Sequence, residues 1–496
     1  MMTASLNGAP NIVLVFSDQH RGDALGCAGN SVVTTPHLDS LAAEGVLFRN
    51  GQTSSPLCMP ARASLLCGEY VNAHGVWGSR HEMEASCPSH VRNVQNAGYC
   101  TALFGKTHFK VPQVDDGHVR EHEDFLHDLG YEVTHEVHET PSSSSSCYYS
   151  DFLAGRKKRQ VRDSSLALWK YGQGNKTLRP WEHLPWQLEE DEHIDAYIAS
   201  KAIEWIQSYK DPRPFYLQVN LVGPHPPYDP PIRFRDMFRP EDMPSAIMDL
   251  PAEPMSPLVR TMFERRGVAN MSESQSRLMK SHYYAKIAFE DEVIGQVIQS
   301  LIEQGLMHNT WIIYTSDHGE MLGDHRLVQK VVFYEGAQNI PLIIRPPGGT
   351  DPWVVSGLAD HYDIVSTILD LANGAPLEND HGVSLAPKIQ AGKDAANAQG
   401  GKEVSFSEVR HCSMARTDKY KMAIDSITRE PLELYDMEND PDELENLVSE
   451  PSLSALREEM QRKYFDELLT NVNMPQLEVS IAGGIPSAIH QDYPEY

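Results

Sequence analysis

The chain has 496 residues, 42 of them Lys or Arg and 69 Asp or Glu, for a net charge of -27 at pH 7. So acidic a surface repels nucleic acid and anionic membranes and argues against either as a partner. Hydrophobic residues at 41% and charged residues at 22% are ordinary for a soluble globular protein, and the length suggests one large domain plus a smaller one. The seven cysteines contain no CxxC pair and suggest no disulfide framework. Met1–Pro10 lacks a basic region followed by an apolar stretch, and no apolar run could span a bilayer. The expectation is a soluble, cytoplasmic protein, or a periplasmic one if a leader has been removed.

In chain order, Ile12–Phe16 predicts a buried parallel strand, because its apolar run is continuous rather than alternating. Thr35–Gly45 has the pattern of a helix and Thr101–Phe104 that of a second strand. The stretch Val111–Pro185 is irregular and holds the serine run Ser142–Ser146 and the basic cluster Arg156, Lys157, Lys158, Arg159. It reads as a flexible, solvated insertion, with a substrate-contacting lid as the alternative. His193–Tyr209 predicts a helix, Tyr216–Val219 a strand, Ser281–Gly305 a helix and Trp311–Thr315 a strand. Strands interleaved with helices imply a doubly wound α/β sheet flanked by helices.

Residues Gln390–Lys402, rich in Ala, Gly and Asn, suggest a linker that divides the chain into a large domain, 1–395, and a small one, 396–496. In the small domain, Val404–Ser407, Lys419–Ala423 and Glu433–Tyr435 predict strands and Ser452–Leu469 a helix, an α+β unit. Met474–Tyr496 has little periodicity, yet it carries Ile481, Ile485, Ile489 and Tyr493. It is expected to be an arm lying on a neighbouring subunit, making the protein a homo-oligomer, with a disordered tail as the alternative.

Each strand of the large domain runs into polar residues: Ser17-Asp18-Gln19, Lys106-Thr107-His108, Pro224-His225 and Asp317-His318. Sites in open α/β sheets lie beyond the carboxyl ends of the strands, so these groups are expected to meet in one place. The sharpest local signal is Ser55-Pro56-Leu57-Cys58-Met59-Pro60-Ala61-Arg62. Pro60 fits the first turn of a helix, which sets Cys58 at a helix N-terminus, where unpaired N–H groups favour anions. Arg62 is four residues on and faces the same side.

Cys58, Pro60 and Arg62 fill the Cys-x-Pro-x-Arg pattern, and here the chain resembles the sulfatase family of the alkaline phosphatase superfamily. The likeness extends to Thr35-Pro36-His37-Leu38-Asp39, to Gly105-Lys106-Thr107-His108, to Pro224-His225-Pro226-Pro227-Tyr228 and to Glu433-Leu434-Tyr435-Asp436. It implies an alkaline phosphatase-like fold with a large mixed sheet, and conversion of Cys58 to formylglycine by a formylglycine-generating enzyme. It also implies one divalent metal ion held by Asp18, Gln19, Asp317, His318 and residue 58. Many sulfatases carry a second Asp where Gln19 stands and Asn where His318 stands; imidazole suits manganese, and calcium tolerates the change. This set resembles the branch holding choline sulfatases and phosphonate monoester hydrolases.

The resemblance further implies roles for the remaining residues. A formylglycine hydroxyl held by Arg62 attacks sulfur, and Lys106 contacts a sulfate oxygen. His225 and Lys330 steady or protonate the leaving oxygen. His108 serves as the base when sulfate is expelled. The implied activity is hydrolysis of the sulfate ester of a small molecule or carbohydrate. A phosphonate monoester or phosphodiester hydrolase is the alternative, and a non-catalytic binder of sulfated ligands a third reading. Lys106 and His108 favour sulfate. Trp77, Arg80 and His81 are candidate walls of the substrate pocket, His20, His37, His74 and His81 default to surface groups, and Asp324 and His325 to loop residues beyond the metal pair.

Overall fold

The computed structural model describes residues 8–79, 81–110, 118–138, 146–163, 181–182, 186–395 and 400–470. Arg80, the serines of the Ser142–Ser146 run apart from Ser146, much of the Val111–Pro185 insertion and the whole Met474–Tyr496 arm lie outside the described residues.

The first strand, β1 (Asn11–Asp18), is buried at every position, which is what its unbroken apolar run requires. Twelve strands follow in chain order among the described residues: β2 (Val46–Gln52), β3 (Cys100–Gly105), β4 (Val133–Glu136), β5 (Phe215–Pro224), β6 (Thr310–Ser316), β7 (Asn339–Ile340), β8 (Leu342–Arg345) and β9 (Trp353–Asp360) complete a nine-stranded sheet, and β10 (Ser405–Val409), β11 (Cys412–Arg416), β12 (Tyr420–Asp425) and β13 (Pro431–Asp436) form a second. The large sheet runs β4-β3-β5-β1-β6-β8-β2, with β7 and β9 beside β2. The four strands expected from sequence are neighbours, β3-β5-β1-β6, and all are parallel. The sheet is mixed because β8 is antiparallel to both β6 and β2.

Alternate residues of β1 face opposite cores. Val13 and Val15 join one with helices α1 (Pro36–Ala43), α3 (Ile194–Ser208) and α4 (Glu273–Glu303). Ile12, Leu14 and Phe16 join the other with α2 (Cys58–Cys67) and α5 (His361–Leu371). The helix expected at Ser281 begins eight residues earlier, because Ser272 and Gln275 form a capping box there. A third core, with Leu57, Met321, Val331, Val409 and Met414, joins the large sheet to the antiparallel one. Met460 and Phe465, in the expected C-terminal helical segment, cover the far side of that second sheet.

Gly105 is where β3 meets the chemistry. Its φ is +112°, and a Cβ there would lie 1.8 Å from the carbonyl oxygen of Asn220 on β5. Only glycine lets β3 approach β5 and turn toward Lys106 at once. Gly105→Ala combines a left-handed backbone with overpacking, and is expected to destabilise the fold by about 2–5 kcal/mol. Urea denaturation checks this; a loss under about 0.5 kcal/mol would contradict it.

Candidate active site

The carboxyl ends of β1, β3, β5 and β6 point the same way and deliver Asp18-Gln19, Lys106-Thr107-His108, His225 and Asp317-His318 to one edge of the sheet. β2 runs parallel to them and leads into α2, whose first residue is Cys58. Two contacts pin that connection against β6. The Thr53 hydroxyl donates to the Asp317 carbonyl at 2.5 Å. His361 bridges the Ser54 hydroxyl, 3.0 Å from its Nδ1, and the Ser316 carbonyl, 2.9 Å from its Nε2. Every residue of α2 is buried, so the helix has no solvent-facing side to slide on.

Around the Cys58 sulfur, Lys330 Nζ lies at 2.9 Å and His318 Nε2 at 3.2 Å, with an Asp18 oxygen at 3.9 Å. Arg62, one turn into α2, donates through Nε to Asp317 at 3.0 Å, through Nη2 to Asp18 at 3.2 Å and through Nη1 to the Lys106 carbonyl at 2.8 Å. Lys106 Nζ meets Asp18 at 2.5 Å. Lys330 Nζ also donates to the Gln19 amide oxygen at 2.8 Å. His108 is buried with φ 57°, and its Nδ1 makes no hydrogen bond among the described residues. His225 donates from Nδ1 to the Pro226 carbonyl at 2.8 Å, and acts electrostatically on Asp18.

Burial alone would raise the Asp18 carboxyl, but Lys106, His225, Lys330 and Arg62 outweigh it and hold Asp18 well below the usual carboxylate range. Asp317 is likewise lowered: burial and Asp18 push it up, while Arg62 and Lys330 pull it down. Burial brings His318 down to about 4, against the raising effect of Asp317. Its imidazole is therefore neutral near pH 7. Nδ1 faces the Gly319 carbonyl at 2.9 Å, which places the proton there and the lone pair on Nε2.

A divalent cation suits these residues. An oxygen of Asp18, one of Asp317, the Cys58 sulfur and His318 Nε2 all lie within 4.8 Å of one another. Two ionised carboxylates, a neutral imidazole already held through its other nitrogen, and an amide oxygen are the donors that calcium or manganese accepts. The structure thus brings together Asp18, Gln19, Cys58, Arg62, Lys106, Asp317, His318 and Lys330 by direct contacts. Trp77 is buried, its ring centroid 4.9 Å from that of His411. His37 is exposed and His74 and His81 are half-buried, but His20 is no surface group. It is enclosed between the Tyr314 hydroxyl at 2.5 Å and the Ala24 carbonyl at 3.0 Å. Asp324 pairs with Arg21 at 2.7 Å, and His325 stacks on Tyr334.

Two contributors escape a reading of the sequence. His361 follows β9, a strand its composition does not announce. Glu320, which accepts the Gln19 amide, is a carboxylate two residues past His318, and that spacing was its one visible signal.

The fold and the buried cysteine–carboxylate–cation cluster fit a hydrolase of the alkaline phosphatase superfamily. The family described as Sulfatase matches residues 10–375, and the C-terminal family described as N-sulphoglucosamine sulphohydrolase matches residues 323–469. The arylsulfatase of Clostridium perfringens (strain 13 / Type A) is 31% identical over 89% of this chain and 90% of its own. The choline-sulfatase of Rhizobium meliloti (strain 1021) is 28% identical over 90% of this chain and 83% of its own. Among solved structures, the phosphonate monoester hydrolase of Agrobacterium radiobacter superposes with a TM-score of 0.75 at 24% identity, over 94% of this chain and 97% of that one, a likeness of fold. The chain belongs to the sulfatase family and is a sulfuric ester hydrolase.

Asp18 and Asp317 are fully buried, and Arg62 lies between them. Removing one partner of such a cluster leaves uncompensated charge, typically a loss of about 3–5 kcal/mol. Arg62→Gln is therefore expected to destabilise the fold by about 3 kcal/mol. Arg62→Lys should recover little of it, since an ammonium cannot span three acceptors in the guanidinium's plane. Denaturant titration of the metal-free protein measures both. A loss under about 1 kcal/mol for Arg62→Gln would mean that Lys106 and Lys330 suffice to neutralise the pair.

Proposed function

We propose that this protein hydrolyses sulfate monoesters of small molecules or carbohydrates, with a nucleophile made from Cys58 by oxidation to formylglycine. The observation that carries this reading is the position of Cys58. It opens a wholly buried helix, faces Asp18, Asp317 and His318, and lies 2.9 Å from Lys330 Nζ. A cysteine kept only for packing has no need of two carboxylates and three cations around it.

A formylglycine-generating enzyme would mature the residue. When formed, it supplies a hydrated aldehyde with two hydroxyls on one carbon, one to attack sulfur and one to expel sulfate. Asp18, Gln19, Asp317 and His318 would hold one divalent cation, calcium or manganese, which supplies Lewis-acid charge and a template for the ester oxygens.

The chain's own side chains do the rest. Arg62 fixes both metal-binding carboxylates and, through the Lys106 carbonyl, the segment that carries Lys106. Lys106 and Lys330 offer N–H donors to the equatorial sulfate oxygens, where charge gathers in the transition state. Lys330 sits closer to the nucleophile than a purely leaving-group role requires, and we assign it to steadying the residue-58 oxygen as well. The Nδ1 of His108 has no protein partner among the described residues, which suits a base that receives a proton from the second hydroxyl. The Nδ1 of His225 is committed to Pro226, so Nε2 is the nitrogen that exchanges a proton with the leaving oxygen.

The test is a parallel rate panel on purified enzyme. Sulfate monoesters are expected to turn over faster than phosphate diesters and phosphonate monoesters, and peptide mass spectrometry to find formylglycine at position 58. A faster phosphonate, or full activity with Cys58 wholly unmodified, overturns the reading.

The role of His225 has its own signature. A p-nitrophenolate leaves readily as an anion, whereas an alkoxide needs a proton. General acid assistance is worth about 100- to 10,000-fold. His225→Ala should therefore cost a factor in that range on alkyl sulfates and much less on activated aryl sulfates. Equal losses on both would mean that His225 orients sulfate instead.

A further inference from the structure

The Gln19 amide has an acceptor and a donor at its two ends, so which end faces the cation site decides what it can do. Its oxygen accepts from Lys330 Nζ at 2.8 Å, and its NH2 donates to Glu320. An ammonium cannot accept and a carboxylate cannot donate, so only this orientation satisfies both neighbours.

Glu320 is itself fully buried. Its second oxygen takes the backbone N–H of Leu322 at 3.0 Å and that of Gln329. One carboxylate therefore ties together two stretches of the site: Gln19 after β1 and the loop that carries Lys330. No other residue of the described site holds the amide by its nitrogen. Buried without these donors, the charge would be strongly unfavourable, and with them it is fixed in place.

We propose that Glu320 is the positioning residue that turns the Gln19 amide oxygen into the cation site and supplies, from behind the neutral amide, the negative charge the amide lacks. This deepens the proposed function and rests on its assignment of one divalent cation to Asp18, Gln19, Asp317 and His318. Groups that orient a metal ligand in this way are typically worth about 10- to 100-fold in metal affinity.

The experiment is a calorimetric titration of Ca2+, and separately of Mn2+, into metal-free full-length protein. Glu320→Gln keeps the volume but removes the charge and the exclusive demand for an N–H donor. It should weaken binding about 10- to 100-fold. Gln19→Ala should weaken it too, and adding Glu320→Gln to Gln19→Ala should cost much less than Glu320→Gln alone, because no amide is left to orient. Wild-type affinity in Glu320→Gln overturns the proposal, and so does an equal loss with and without Gln19. Wild-type protein that takes up neither cation overturns the metal assignment itself, a failure visible before any variant is compared. If Glu320→Gln does not fold, Glu320→Asp carries the same test, since it keeps the charge but draws it away from the amide, and the same loss is expected.

Discussion

The site depends on one constraint: Asp18 and Asp317, at the ends of adjacent parallel strands, are both fully buried and both ionised. Two like charges so close, taken out of water, hold only where cations answer them. Arg62 answers both, Lys106 answers Asp18, and Lys330 lies 2.9 Å from the sulfur and 4.0 Å from Asp18. Each cation comes from a different part of the chain: the helix after β2, the end of β3, and the loop after β6. The carboxylates thus recruit the segments that carry the chemistry. Electrostatic compensation and assembly of the proposed catalytic site are the same event in this fold.

The second consequence of burial is order. His361, Thr53 and Glu320 touch no proposed substrate position, yet each joins two segments that leave different strands. Hydrogen bonds of this kind are individually modest, about 1 kcal/mol net. In a dry setting they hold reactive groups in one arrangement, which is the condition for electrostatic catalysis without reorganisation.

Much of this was legible in the sequence, and the exceptions have physical reasons. β1, β3, β5 and β6 are buried on both faces, so each reads as an unbroken apolar run and each polar end stands out. β2 was hidden because Arg49 and Asn50 break its apolar pattern, and both are partly or fully solvent-facing. β9 is interrupted by the exposed Ser356 and by Gly357, and β4 is only partly buried. Pro341 splits what would be one strand into β7 and β8, since proline cannot donate to the ladder. At the site, the sequence named residues that the structure brings together, but not who faces whom. Lys330, assigned by resemblance to the leaving oxygen, rests its ammonium on the Cys58 sulfur and Gln19, partners that no pattern in the sequence specifies. The Gln19–Glu320 contact spans a separation of 301 residues, and no local pattern announces such a pairing.

The way Cys58 is covered bears on the life of the nascent chain. Its segment is made early, but Lys330, which closes over the sulfur, lies 272 residues downstream. The Ser54 carbonyl waits longer still, for the Glu408 amide of the second sheet, and Leu57 for Val409 and Met414. At ribosomal speeds of about 5–20 residues per second, that gap is on the order of tens of seconds. During this interval the thiol cannot be enclosed, whatever the stability of the finished fold. Translation itself therefore opens a period of access to Cys58, and completion of the last strands ends it.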